Sequence, residues 1–191
     1  MFDLQDFIAS CKRLVGAPDG DRRVLDLMRS VVSDGEGVKK VVFPSQSGQA
    51  ILDIPLFRSP DLTILNATLY PDFASPPHDH RMWAVVGIYQ GRENNVFYRR
   101  SGKVLNEVNR REICAGDAVL LGSDVIHAIG NPLSSSTLGL HVYAGDLVAS
   151  KRSMWEPRSH QELPYDTSQF FKWCGELAES RSAVQHAAEA D

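Results

Sequence analysis

The stretch Pro76-Pro77-His78-Asp79-His80-Arg81-Met82-Trp83-Ala84-Val85-Val86-Gly87-Ile88-Tyr89 decides how this chain is read. Two prolines favour extended backbone ahead of His78, and the apolar run after Arg81 is strand-sized and rich in β-branched and aromatic residues. In an extended chain residues i and i+2 share a face, so His78 and His80 point into one space while Asp79 points away. Two imidazoles on one strand offer a metal two nitrogen ligands, and a third must come from elsewhere in the fold.

Around this stretch lie short segments rich in Val, Ile, Leu, Thr and Tyr, cut by Gly, Pro, Asn and Asp. They predict strands over Ile51 to Phe57, Leu62 to Tyr70, Met82 to Tyr89, Asn95 to Arg100, Lys103 to Val108, Ala118 to Leu121, Ile126 to Ile129 and Thr137 to Tyr143. Short strands at nearly regular spacing, with no helix between them, argue for an all-β sandwich or barrel over a parallel α/β sheet. Both ends read as helix. Leu4, Phe7, Ile8, Cys11, Leu14 and Val15 recur at steps of three and four, and Val24, Leu25, Met28, Val31 and Val32 repeat that spacing behind Asp21. Ser33-Asp34-Gly35-Glu36-Gly37 closes this two-helix piece. Phe170, Phe171, Cys174 and Leu177 form a C-terminal stripe, and the Ala/Glu/Ser-rich tail from Glu179 is expected to fray. The 191 residues suit one domain: helices over 1–37, a β-barrel over 38–152, and a loop and helix over 153–191.

Composition narrows the function classes. Twenty Lys+Arg against 24 Asp+Glu leave a net charge of −4, which provides no positive field to hold nucleic acid. The longest apolar runs fall far short of the ~20 residues a membrane helix needs. Met1-Phe2-Asp3-Leu4-Gln5-Asp6 lacks the basic start and apolar stretch of a secretory signal. A cytoplasmic protein with no membrane partner is expected. Cys11, Cys114 and Cys174 are widely separated and odd in number, which reads as reduced thiols rather than a disulfide framework. Cys114 has no neighbouring cation to activate it as a nucleophile.

The third ligand is sought in Gly116-Asp117-Ala118-Val119-Leu120-Leu121-Gly122-Ser123-Asp124-Val125-Ile126-His127-Ala128-Ile129-Gly130-Asn131: a turn, an apolar strand, a turn, then a histidine entering another strand. A single histidine is more often a satisfied surface or core residue than a ligand. An i, i+2 pair with a third imidazole shifts that balance toward a metal site formed by His78, His80 and His127. His160 and His186 fall in a loop and in the tail and are expected to be solvated.

These two stretches resemble the paired motifs of the cupin superfamily, HxH(x)3E(x)6G and G(x)5PxG(x)2H(x)3N, with His78, His80, Gly91, Gly116, His127 and Asn131 in register. Ala84 stands at the motif's glutamate, and Gly122 and Asp124 stand at its proline and glycine, so the usual carboxylate ligand is missing and a three-histidine set remains. The resemblance implies a cupin double-stranded β-helix, a small jelly-roll barrel with its metal in the mouth. Within the superfamily, Pro77 to Tyr98 together with Leu140-His141-Val142-Tyr143-Ala144-Gly145-Asp146-Leu147 looks like the cysteine dioxygenase family, closest to the bacterial 3-mercaptopropionate dioxygenase branch. It runs from about Ile51 to Arg152.

That resemblance implies one iron(II) per chain held by three histidines, and addition of both atoms of O2 to a small carboxylated thiol. It also implies a Ser-His-Tyr triad, of which His141 and Tyr143 are present while Gly139 replaces the serine. The cysteine that mammalian members crosslink to the tyrosine is here Ala84, so no crosslink can form. For the substrate carboxylate two arginines compete: Arg152, nine residues after Tyr143, and Arg58, ahead of the Leu62 strand. Either guanidinium can donate two parallel hydrogen bonds to a carboxylate. Trp83 and Tyr98 are read as packing aromatics. Two other functions fit the same fold: a metal-dependent cupin enzyme of different chemistry, and a non-catalytic cupin that binds a small molecule.

Overall fold

The computed structural model describes residues 1–42, 53–102 and 104–189. Three helices, α1 (Leu4–Val15), α2 (Gly20–Val32) and α3 (Gly35–Val42), precede the strands, and α4 (Thr167–Glu189) follows them. The strands are β1 (Asp53–Ser59), β2 (Leu62–Leu69), β3 (His78–Asp79), β4 (Ala84–Gln90), β5 (Arg92–Ser101), β6 (Val104–Cys114), β7 (Ala118–Leu121), β8 (Ile126–Gly130), β9 (Thr137–Tyr143), β10 (Ser153–Trp155) and β11 (Glu162–Pro164). Of the expected strand residues, Ile51, Leu52 and Lys103 lie outside the described ones. Among the described residues no helix is long and apolar enough to cross a membrane.

The strands pair antiparallel into two sheets, a five-stranded one in the order β1-β2-β9-β4-β7 and a six-stranded one in the order β11-β10-β3-β8-β5-β6. Apart from the adjacent pairs β1-β2, β5-β6 and β10-β11, consecutive strands alternate between the two layers, and the fold is a double-stranded β-helix, a small jelly-roll barrel, with flanking helices. The pleat of β4 explains its unbroken apolar sequence, because both of its faces are covered. Ala84, Val86 and Ile88 turn inward and pack with Leu65, Ile113, Val119, Leu121 and Tyr143 between the sheets. Val85 and Tyr89 turn outward onto Phe7, Cys11, Val24, Met28, Val32 and Val38, the apolar stripes of the N-terminal helices. At one end of the barrel, Phe170, Trp173 and Cys174 of α4 close over Leu69, Phe73 and Met154.

Three boundaries differ from those the sequence suggests. The helical part does not stop at Gly37, because Asp34 Oδ1 accepts from the Gly37 amide at 3.0 Å and α3 begins there. Its glycines serve close approach rather than termination: a β-carbon on Gly35 would sit 2.2 Å from the Tyr89 carbonyl oxygen. Nor does the barrel stop at 152, since Met154 of β10 pairs with His78 of β3, and β11 pairs with β10. The C-terminal segment, expected to fray from Glu179, continues as helix to Glu189.

Candidate metal centre

His78 and His127 are cross-strand partners, joined in register between β3 and β8. His80, one residue beyond β3, turns its ring to the same space, 5.2 Å from the His78 ring centre and 5.0 Å from that of His127. Candidate ligand atoms of the three histidines all lie within 4.8 Å of one another, and all three residues are buried. The closest pair, His80 Nε2 and His127 Nε2, is 3.3 Å apart. Two nitrogens bound at ~2.1 Å to one ion lie about 3.0 Å apart at a right angle and about 3.4 Å apart at the tetrahedral angle, so this spacing suits a shared ion. Asp79 points away, as the alternation requires: its carboxylate pairs with Arg81 at 2.7 Å and accepts from the Ser153 amide.

The hydrogen bonds around the rings support metal ligation. His78 Nδ1 donates to the Pro76 carbonyl at 3.1 Å and His127 Nδ1 donates to Asn95 Oδ1 at 2.9 Å, leaving each Nε2 as a lone pair. Burial, with a smaller push from the Arg152 charge, lowers His78 to about 3. Burial and the neighbouring imidazoles hold His80 and His127 well below the ordinary histidine value. All three rings are therefore neutral near pH 7, the state a metal requires of them. The donor set fits a divalent transition metal, and iron, zinc, nickel and copper all accept imidazole.

Across the gap, the five-stranded sheet presents His141 and Tyr143 from β9. His141 Nδ1 and the Tyr143 hydroxyl are 3.1 Å apart, and the Tyr143 ring stands edge-on to His80 with centres 5.0 Å apart. Burial lowers His141 to about 4, so this imidazole too is neutral. His141 Nε2 is buried without a hydrogen-bond partner among the described residues, on the side where Gly139 lacks a side chain. Ala84 is the cross-strand neighbour of Tyr143. The site thus has its candidate ligands on one sheet and a tyrosine-histidine pair on the other.

Between them is a cavity of about 80 Å³. At about 10–15 Å³ per water-sized position it has room for roughly five to eight such positions, enough for a small molecule. Its walls are mostly apolar, including Leu65, Val86, Phe73 and Phe170. Arg152 also lines it, and no Asp or Glu does among the described residues. The Arg152 guanidinium stacks 3.3 Å from the centre of the Tyr165 ring. Arg58 is elsewhere: it forms a two-pronged ion pair with Asp146, at 2.8 and 2.9 Å, and is not part of the cavity wall. The structure therefore brings Arg152, but not Arg58, to the three histidines.

The remaining motif residues shape the frame. Gly91 turns at φ +80 where a side chain would strike Thr137 Oγ1, and Gly116 turns at φ +91. Asn131 ties a loop together, donating to the carbonyls of Leu69, Tyr70 and Ser135 and accepting from the Leu133 amide. His160, expected in solvent, is half-buried, with Nδ1 donating to the Leu105 carbonyl. Cys114 is exposed and its thiol is raised, through desolvation and Glu112, which agrees with its having no nucleophilic task. Sequence reasoning missed Glu93 and Asn95, the buried pair behind His127. Their one signal is the i, i+2 spacing that puts both on the face of β5 shared with Phe97.

The sequence matches no protein-family model. Among solved structures, the chain is similar to an RmlC-like cupin family protein with a double-stranded β-helix fold from Methanocaldococcus jannaschii, with 14% identity, 55% of this chain and 88% of the other covered, and a TM-score of 0.45. It is similar to a cupin 2 conserved barrel domain protein from Salinispora arenicola, with 21% identity, 52% and 84% covered, and a TM-score of 0.41. It is also similar to a DMSP lyase from Ruegeria pomeroyi, with 19% identity, 52% and 46% covered, and a TM-score of 0.41.

Proposed function

We propose that this chain is a non-haem iron(II) thiol dioxygenase that converts a small carboxylated thiol to its sulfinate, RSH and O2 giving RSO2H with no further reductant. The observation that carries the reading is a site of three neutral imidazoles facing, among the described residues, one arginine, no acid and a tyrosine-histidine pair across a small apolar space. Iron(II), when bound by His78, His80 and His127, supplies open coordination positions for thiolate and O2 and the redox chemistry that joins them. Arg152 takes the substrate carboxylate, its fork held flat by the Tyr165 ring. Tyr143 offers its hydroxyl toward the reacting groups, and His141 fixes the direction of that hydroxyl through Nδ1. Leu65, Val86 and Phe170 exclude water and leave room for few atoms.

The wall also speaks to the choice of thiol. A cysteine-like substrate carries an ammonium, and among the described residues the cavity offers no carboxylate to receive it, whereas 3-mercaptopropionate asks only for the cation that is present. The decisive experiment is oxygen uptake by protein loaded anaerobically with iron(II), with a panel of thiols and assay of the sulfinate product. Uptake is expected to be greatest with 3-mercaptopropionate. No thiol-dependent uptake above that of a His127→Ala control overturns the proposal. Zinc or nickel at full occupancy in the purified protein, with no redox turnover, would instead favour a metal-dependent enzyme of different chemistry.

Arg152→Gln is expected to raise KM for 3-mercaptopropionate by about ten- to a hundredfold, the worth of a charge-assisted pair. It should leave a thiol without a carboxylate unaffected. Arg58→Gln is expected to change neither KM, and an equal effect of both substitutions would reject Arg152 as the anchor.

A further inference from the structure

Glu93 is 1% exposed, and no cation pairs with it among the described residues. Its Oε2 has no hydrogen-bond partner among them either. A buried carboxyl of this kind lowers stability relative to an apolar residue, so packing gives no reason for it. Its other oxygen has a partner that leads to the metal centre. Glu93 Oε1 accepts from Asn95 Nδ2 at 2.8 Å, and Asn95 Oδ1 accepts from His127 Nδ1 at 2.9 Å.

The direction of this chain follows from donor and acceptor capacity. A carboxylate has no proton to offer, so the edge of the Asn95 amide that faces Glu93 must be its NH2. The opposite edge, facing His127, is then the carbonyl, which only accepts. His127 must therefore carry its proton on Nδ1 and present a lone pair at Nε2. His78 needs no such arrangement, because the Pro76 carbonyl is an acceptor by nature. At His127 an amide stands in that place, and an amide can be turned around unless something holds it.

We propose that Glu93 is a positioning residue for the metal centre: acting through the Asn95 amide, it holds His127 in the tautomer whose Nε2 lone pair faces His78 and His80. The role rests on the reading of the three histidines as metal ligands. It does not depend on which reaction the metal performs. No solvent competes for the buried carboxyl, and because burial raises Glu93 to about 7, the carboxylate that fixes the amide is fully formed only above that pH.

The test uses full-length, metal-free protein labelled with 15N, at a pH well above 7 so that Glu93 is ionised. Long-range nitrogen-proton correlation reads the His127 tautomer directly, and a zinc titration reads affinity. Wild type is expected to show the Nδ1–H form. Glu93→Leu, and Glu93→Gln as a variant of unchanged shape, free the amide to turn. The Nε2–H form should then appear, and the zinc Kd should rise by about tenfold or more. The melting temperature of Glu93→Leu should stay level or increase, because an unpaired buried carboxyl has gone. Adding Asn95→Asp to Glu93→Leu installs an acceptor that cannot present a donor, and it should restore both the Nδ1–H form and zinc affinity.

An unchanged tautomer and zinc Kd in both Glu93 variants overturns the proposal. So does a fall in melting temperature that tracks the loss of zinc and is not rescued by Asn95→Asp, since that is the behaviour of a residue supporting only the fold. Wild type that binds no zinc removes the metal site and this role with it. Zinc binding without thiol-dependent oxygen uptake counts against the dioxygenase reading alone.

Discussion

A β-carbon at position 139 would lie 3.3 Å from His141 Nε2, and 3.1 Å from both the Gly87 carbonyl oxygen and Ile88 Cδ1. Gly139→Ala therefore crowds a backbone oxygen and is expected to destabilise by about 1–3 kcal/mol. Gly139→Ser carries the same crowding, but its hydroxyl can reach the unpartnered nitrogen and recover about 1 kcal/mol. Urea denaturation of the two variants measures that difference, and a serine no better than alanine would show that the nitrogen is not within its reach.

Protons provide a second test on individual residues. The His141 and His78 imidazoles titrate at about 4 and about 3 in the fold, against 6.5 in the unfolded chain. Between those values the unfolded chain holds more protons, so metal-free protein loses stability as pH falls from 6.5. Glu93 works in the opposite sense. With a folded value of about 7 against 4.5 unfolded, it removes stability as pH rises through that interval. Glu93→Gln should accordingly steepen the gain in stability between pH 4.5 and 7, as read from urea midpoints in the presence of a chelator.

The three candidate metal ligands were legible because strand alternation and a second motif define them without distant information. Glu93 was not, since Arg92-Glu93-Asn94-Asn95 reads as a polar surface stretch until β8 is known to lie beside it. The choice between Arg58 and Arg152 was equally closed to sequence, because the partner that occupies Arg58 is Asp146, 88 residues away.

Helix α3 meets the sheet through a glycine. Gly35→Ala would put a methyl group 2.2 Å from the Tyr89 carbonyl oxygen, so the helix must lift from β4. A loss of about 1–3 kcal/mol or more is expected in denaturation. Gly16→Ala makes the control: Gly16 ends α1 at φ −98 with nothing within 4 Å of its would-be β-carbon, and it should be neutral or slightly stabilising. In a sequence, a glycine that makes room and a glycine that ends a helix look alike, which is why Gly35 and Gly37 suggested a break. α1 and α2 were readable from their stripes. The lengths of β5 and β6 were not, because nearly every residue of β6 is exposed and no alternation marks its ends. β10 and β11, three residues each, are too short to carry a period and exist through pairing with β3 and with each other.

Taken as a whole, the molecule divides its site between two layers. His78 and His127 belong to the six-stranded sheet, with His80 directly following β3, and His141 and Tyr143 belong to the five-stranded one. Leu121, 2% exposed on β7, fills the space between the layers without touching the cavity. Leu121→Ala is expected to lower stability by about 2–5 kcal/mol. It should also reduce kcat while leaving the metal Kd unchanged, because every candidate ligand lies on, or directly after, a strand of the other sheet. A parallel loss of metal affinity would show that the layers do not act separately.

Under the proposed function, ion retention and turnover thereby have different structural owners. The reach of the phenol toward whatever the imidazoles hold is a property of interior filling, remote from the chemistry. Drift in that filling would change speed well before it changed which ion is kept.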